Sequence, residues 1–188
     1  MDDLFKRMTN FIREVGADEV SHSEKTYLAH AIGVHNDLRE WNCDESMCCA
    51  GVFHSIYGTE LFQRFTLPLE RRGEVRDLIG ERAEQLAYLN CAMDRTHFDR
   101  SVFQTAGPYA VLDRFTDQEV VVSVDEFDEL ARLHLCDWLE QVVRAKMWDY
   151  RRDAYRQMAK RLGGIAEKSY EEVFAKEQPS TEAVSDPR

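Results

Sequence analysis

The sequence predicts an all-α fold, a helical bundle with one small β-hairpin. Three observations carry this expectation. Apolar residues recur at helical spacing through most of the chain, a single stretch near residues 109–124 reads as paired strands, and no Pro/Gly/Ser-rich linker interrupts residues 1–164. With 188 residues and 44% hydrophobic content, the chain is long enough for one domain with a sizeable core. We read residues 1–164 as that domain and 165–188 as a C-terminal extension, largely disordered after 176.

Residues 2–16 place Leu4, Phe5, Met8, Phe11, Ile12 and Val15 on one helix face, stopping near Gly16. Ser21 and Glu24 have capping-box spacing, so a second helix is expected to start there, with Tyr27, Ala31, Val34, Leu38 and Trp41 as its apolar face. Asp44 can cap a third helix, "ESMCCAGVFHSIYG", whose small and apolar residues imply burial on most sides. Pro68 excludes a helix across 59–70. Residues 72–95 read as helix with a bend at Gly80, and "THFDRSVFQTAGP" reads as loop. "YAVLDRF" and "EVVVSV", separated by "TDQ", form the only β signal. Asp125 is expected to cap a long helical region from 126 to about 162, with a possible break at Lys146–Asp149 and an end at Gly163-Gly164. A last weak helix spans 165–176, and "EQPSTEAVSDPR" has the composition of a disordered tail.

The formal net charge of −11 argues against phosphate-backbone binding, so no nucleic-acid partner is expected. The one cationic cluster (Arg144, Lys146, Arg151, Arg152, Arg156, Lys160, Arg161) is interleaved with aromatics at helical spacing and reads as a solvated helix face. No apolar run approaches a membrane span, and Asp2 and Asp3 lead the chain where a signal peptide would carry cations. A soluble, cytoplasmic protein without a membrane partner is expected. Five cysteines with no CxxC pair favour reduced, mostly buried thiols.

The informative residues are polar groups on apolar helix faces: His30 in "YLAHAIGV", His54 in "AGVFHSIY" and Asp137 in "LHLCDWLEQ". A buried carboxylate is costly unless paired, hydrogen-bonded or bound to a metal, whereas a neutral histidine fits a core more easily. Each histidine alone therefore reads as core or ligand; three such groups on helices packed around one core favour a shared polar site. His35, roughly 140° around the helix from His30, points elsewhere. His22 lies about 12 Å along the axis if the helix is continuous, and can join only if the helix begins after it and the chain folds back. His134 sits one turn before Asp137 on the same face, and His97 falls in a polar loop.

"YLAHAIGVHNDLREWNCDESMCCAGVFHS" followed by a late Asp137 in "HLCDWLEQ" resembles the HD-domain superfamily over roughly residues 20–145. Those proteins are all-α and take metal ligands from separate helices in the pattern H…HD…D. The layout is similar to a bacterial subfamily with His-Ser in place of His-Asp, which implies little about activity. Carried over by position, the resemblance implies metal ligation by His30, His54 and Asp137, with Ser55 where the doublet has its Asp. A hydroxyl is a weak ligand for a divalent ion, so a bridged two-metal centre is disfavoured. Two histidines and one carboxylate suit a single Fe, Mn or Zn ion.

Tyr57 and Thr59 follow the His-Ser turn and could bind ligand beside Ser55, or could belong to a helix C-cap with Gly58 left-handed. Glu84 could replace the missing carboxylate or lie on a solvated surface. The expected function is a metal-dependent hydrolase of a phosphorylated small molecule or nucleotide, with His22, His134 or Glu84 as proton-transfer groups. The alternative is a catalytically degenerate HD-like protein that binds a small-molecule ligand or a partner without turnover. Neither substrate nor oligomeric state is readable from the residues.

Overall fold

A computed structural model describes residues 2–22 and 24–177. Within them the chain is mainly helical, with two small antiparallel β-ribbons. The expected tail beyond 177 lies outside the described residues.

Helix α1 (Asp2–Glu14) lays Met8 and Ile12 into the core and ends before Gly16, whose φ of +75° few other residues adopt cheaply. The predicted capping box at Ser21 and Glu24 does not form. Ser21–His22 (β1) instead pairs with Lys25–Thr26 (β2), and Glu24 takes a left-handed turn with φ +64°. Helix α2 (Tyr27–Glu40) starts only after this reversal, where the Thr26 hydroxyl accepts from the Ala29 N–H. The reason is topological: His22 is 7% exposed, and a helix begun at Ser21 would carry it away from the core.

Asp44 caps α3 (Glu45–Phe53) as expected, accepting from Met47 N–H, and α3 is buried from Met47 onward. The helix stops at Phe53 rather than continuing to Tyr57, so His54 and Ser55 sit in the turn that follows. α2 and α3 approach closely because Gly51 has no side chain; a Cβ there would fall 2.7 Å from Leu38 Cδ1.

The predicted bend at Gly80 is a full break, with φ +87°, between α4 (Arg72–Ile79) and α5 (Glu81–Ala92). The segment read as loop contains an eight-residue helix, α6 (Arg95–Val102), where Asp94 accepts from His97 N–H and Phe98 and Val102 are buried. Its polar residues hid an apolar pair spaced one turn apart.

The hairpin forms between β3 (Tyr109–Asp113) and β4 (Gln118–Val122), registered Tyr109↔Val122 to Asp113↔Gln118, with Tyr109 and Val111 facing inward. Helix α7 (Val124–Ala145) is capped by Ser123, not Asp125. Ser123 Oγ accepts from Glu126 N–H and Glu126 returns a bond to Ser123 N–H, a reciprocal pairing that Asp125 could not make.

The expected break follows α7. Lys146 and Arg151 both adopt left-handed φ before α8 (Arg152–Leu162), and α9 (Gly164–Phe174) packs Ala166 and Tyr170 against α7 and α8. That break corrects one reading of the cationic cluster. Arg151 is turned inward onto Asp99 and His134 instead of lying on a solvated face. No helix among the described residues is long and apolar enough to cross a membrane. All five cysteine thiols are free, four of them buried.

Candidate metal centre

Three helices bring His30, His54 and Asp137 together, from the first turn of α2, the C-terminus of α3 and the middle of α7. Both histidines are completely buried and Asp137 is 5% exposed. His30 Nε2 lies 3.1 Å from His54 Nε2 and 3.0 Å from Asp137 Oδ1, and His54 Nε2 lies 3.3 Å from the same oxygen.

The other ring nitrogens define the tautomers. His30 Nδ1–H donates to Glu140 Oε2 at 2.5 Å, and His54 Nδ1–H donates to the Gly51 carbonyl at 2.8 Å. A carboxylate and a carbonyl can only accept, so in the neutral rings both Nε2 lone pairs converge on the Asp137 oxygen. Three electron-rich atoms this close repel one another unless a proton or a metal cation lies among them. A divalent ion held at about 2.1 Å with ligand–metal–ligand angles of roughly 90–110° has donors roughly 3.0–3.4 Å apart. The observed triangle falls within that range. The residues fit a single divalent ion.

Outer groups hold each ligand in place. Glu140 is itself fixed by Lys25 Nζ at 2.7 Å and Arg144 at 2.6 Å. Gly33 makes room for it: a Cβ there would sit 2.6 Å from Glu140 Oε1. Gln141 Nε2 donates to Asp137 Oδ1 at 2.7 Å, and the His54 carbonyl accepts from Asn90 Nδ2 and Cys91 Sγ. Burial alone would raise the Asp137 pKa, but His54 and His30 hold its carboxyl well below the usual range. Burial likewise opposes charge on His30, yet Asp137 and Glu140 together raise its affinity for a proton. Glu140, opposed by burial but held by His30 and Arg144, is brought down to about 2. The cluster is electrostatically a cation site.

The remaining sequence candidates divide by where they fall. His22 stacks on His30, ring centroids 4.2 Å apart and planes 13° from parallel, and burial followed by the His30 charge lowers its pKa to about 3. It lines a cleft of about 430 Å³ together with His54, Ser55, Thr59, Arg95 and Asp137. Ser55 Oγ is buried and has no hydrogen-bond partner among the described residues. It lies close enough to the equally unpartnered Tyr27 hydroxyl to influence it, without the geometry of a bond. Thr59 Oγ1 accepts from Phe62 N–H at the cleft wall.

Glu84 and Tyr57 do not line the cleft. Glu84 is wholly buried in a two-pronged pair with Arg72 and accepts from the Tyr57 hydroxyl at 2.9 Å, so it is neither a solvated helix residue nor a substitute ligand. His134 is completely buried behind the site, bonded to Asn90, Arg151 and Tyr155. His35 points away, with its Nδ1–H donating to the Cys48 carbonyl, and His97 faces Glu119 at 3.3 Å.

Sequence reasoning missed Glu140. Its signal was the spacing Asp137-x-x-Glu140, which places two carboxylates on one helix face with the second a turn further on. Gln141 and Gly33 carried no signal of their own.

A family model described as a domain of unknown function (DUF6817) matches residues 11–95. That span holds His22, His30, His54 and Ser55 but stops short of Asp137 and Glu140. No curated protein and no solved structure matches the chain.

Proposed function

We propose that this chain is an HD-like protein that holds one divalent ion on His30, His54 and Asp137 and hydrolyses a phosphorylated small molecule or nucleotide. The observation that carries the reading is the triangle of two imidazole nitrogens and a carboxylate oxygen at 3.0–3.3 Å, with both tautomers held by acceptors on the far side of the rings. Fe, Mn and Zn all suit that donor set. Held by His30, His54 and Asp137, such an ion would supply Lewis-acid chemistry toward a phosphoryl oxygen and a water.

The chain's own residues do the rest. Glu140 and the Gly51 carbonyl hold the two rings in the ligating tautomer. Gln141 orients Asp137, and the cleft is of a size that takes a small molecule. His22, stacked on His30 with its Nδ1 unpartnered among the described residues, is the group positioned to accept a proton. Ser55 supplies no charge where the superfamily pattern has a second carboxylate, which limits the site to one ion.

Elemental analysis of protein purified without a metal-affinity tag, beside His54→Ala, tests the metal. Wild type should carry about one equivalent and the variant almost none. Wild-type protein that neither carries nor takes up Fe, Mn or Zn would overturn the proposal. A panel of phosphomonoesters and nucleotides on the loaded protein then asks for turnover. Ser55 favours one second reading, ligand binding without hydrolysis, for which the loaded protein would bind a panel member and release no phosphate.

A further inference from the structure

Most buried or half-buried arginines of this acidic chain face a carboxylate: Arg72 with Glu84, Arg144 with Glu140, Arg151 with Asp99 and Arg161 with Asp128. Arg114 is satisfied differently, by the carbonyls of Cys91 and Gly58. Arg95 is the exception. It is only 6% exposed, yet no carboxylate among the described residues lies at ion-pairing distance from its guanidinium, whose single hydrogen bond is to the Tyr150 hydroxyl at 3.2 Å. Glu60 bonds its backbone N–H, not its side chain. A guanidinium removed from water without a counter-charge costs several kcal/mol, so its surroundings are incomplete without an anion.

Arg95 lines the same cleft as His54 and Asp137, and so does Arg64, which also has no acidic partner among the described residues. Two further polar atoms of the cleft residues are buried and have no hydrogen-bond partner among the described residues, Ser55 Oγ and His22 Nδ1. A planar guanidinium fork takes two oxygens of a tetrahedral oxyanion and leaves a third for a hydroxyl.

We propose that Arg95, assisted by Ser55 and Arg64, is an anion subsite that receives the terminal phosphate of a phosphomonoester. As a statement about substrate, this rests on the metal-centre reading above; as a statement about phosphate binding, it stands on Arg95 and Ser55. It also gives Ser55 a role: a neutral donor facing a dianion, where a carboxylate would repel it.

The test uses inorganic phosphate as the probe. Its affinity is measured by calorimetry on wild type, Arg95→Gln and Ser55→Ala, each as purified and after chelation, alongside thermal melts with and without phosphate. Arg95→Gln should weaken phosphate binding at least tenfold, yet melt no earlier than wild type in phosphate-free buffer, because it removes an uncompensated charge. A purely structural arginine would give the opposite pair of results and overturn the proposal. If Arg95→Gln fails to fold, Ser55→Ala decides: it removes a hydroxyl that bonds nothing, so a loss of phosphate affinity supports the subsite and an unchanged affinity overturns it. Wild type that does not bind phosphate in either state also overturns it. The two readings separate cleanly. Metal bound at the cluster with phosphate affinity indifferent to Arg95 removes the subsite alone, whereas phosphate binding lost in Arg95→Gln by a protein that takes up no metal removes the metal centre alone.

Discussion

Replacing Glu140 by glutamine leaves the shape of the side chain nearly unchanged and removes its negative charge. Three partners feel the loss. Lys25 and Arg144 have 37% and 23% of their side-chain surface exposed, so their pairs are screened, each worth about 0–1 kcal/mol. The third partner is the His30 Nδ1–H, wholly buried and 2.5 Å from Oε2. A hydrogen bond to a charged group in such a place is worth about 1.5–3 kcal/mol, and this one decides the outcome. It also fixes which nitrogen of His30 faces the site. A supporting carboxylate of this kind typically contributes about 10–100-fold to metal affinity.

The expected readout follows from linkage. With free ion at about 100 times the wild-type Kd, binding stabilises the fold by about 2.7 kcal/mol, and the same ion concentration gives Glu140→Gln only about 0.4–1.4 kcal/mol. At about 2–4 °C per kcal/mol for a chain of this size, the ion-induced rise in Tm should fall from about 5–11 °C to about 1–6 °C. Melts of both proteins across a Zn or Mn titration, with calorimetric affinities, make the comparison. Equal ion-induced shifts in the two proteins would refute the claim that Glu140 orients a metal ligand.

Further outcomes are expected elsewhere in the chain. Glu84→Gln should lower unfolding free energy by about 1.5–3 kcal/mol in urea, because the wholly buried Glu84 gives up its charged bonds to the half-buried Arg72, while metal content stays at the wild-type level; a drop in metal content would put Glu84 in the site after all. Ser123→Ala should cost about 1 kcal/mol through loss of the capping box, and Asp125→Ala less than about 0.5 kcal/mol; the reverse order in denaturant melts would restore Asp125 as the cap. His134 has its pKa pushed well below the ordinary histidine value, first by burial and then by the Arg151 charge. The unfolded chain therefore binds a proton that the folded chain refuses once pH falls below about 6.5, so stability is full above that pH and declines below it by about 1.4 kcal/mol per pH unit. His134→Gln should flatten the stability–pH slope below about pH 6 by about one proton, and an unchanged slope would contradict the assignment.

Local signals in the chain were sufficient for much of this. Apolar spacing made α1, α2, α3 and α7 legible, Asp44 marked the start of α3, and Gly80, Gly163 and the Lys146 region marked breaks, because each depends on neighbours within a turn or two. His30, His54 and Asp137 were legible for a related reason: polar groups on apolar faces must satisfy each other or a ligand. What the local signals could not decide was competition. Ser21 and Asp125 had the local spacing of caps, yet Thr26 caps α2 and Ser123 caps α7, because the strand reversal at Glu24 delays the first helix and the reciprocal bond from Glu126 starts the second earlier.

Nor could spacing distinguish Glu84 from Glu140. Both are carboxylates on helices that reach the core, but Arg72 claims the first, whereas Gly33, across the α2–α7 contact, opens the space through which the second reaches His30. The sequence alone determined that His30, His54 and Asp137 would be buried at a polar cost. Only the tertiary structure decided which partner meets that cost, because partners are set by the packing of helices more than a hundred residues apart in the chain, and packing distances are not written in any local pattern.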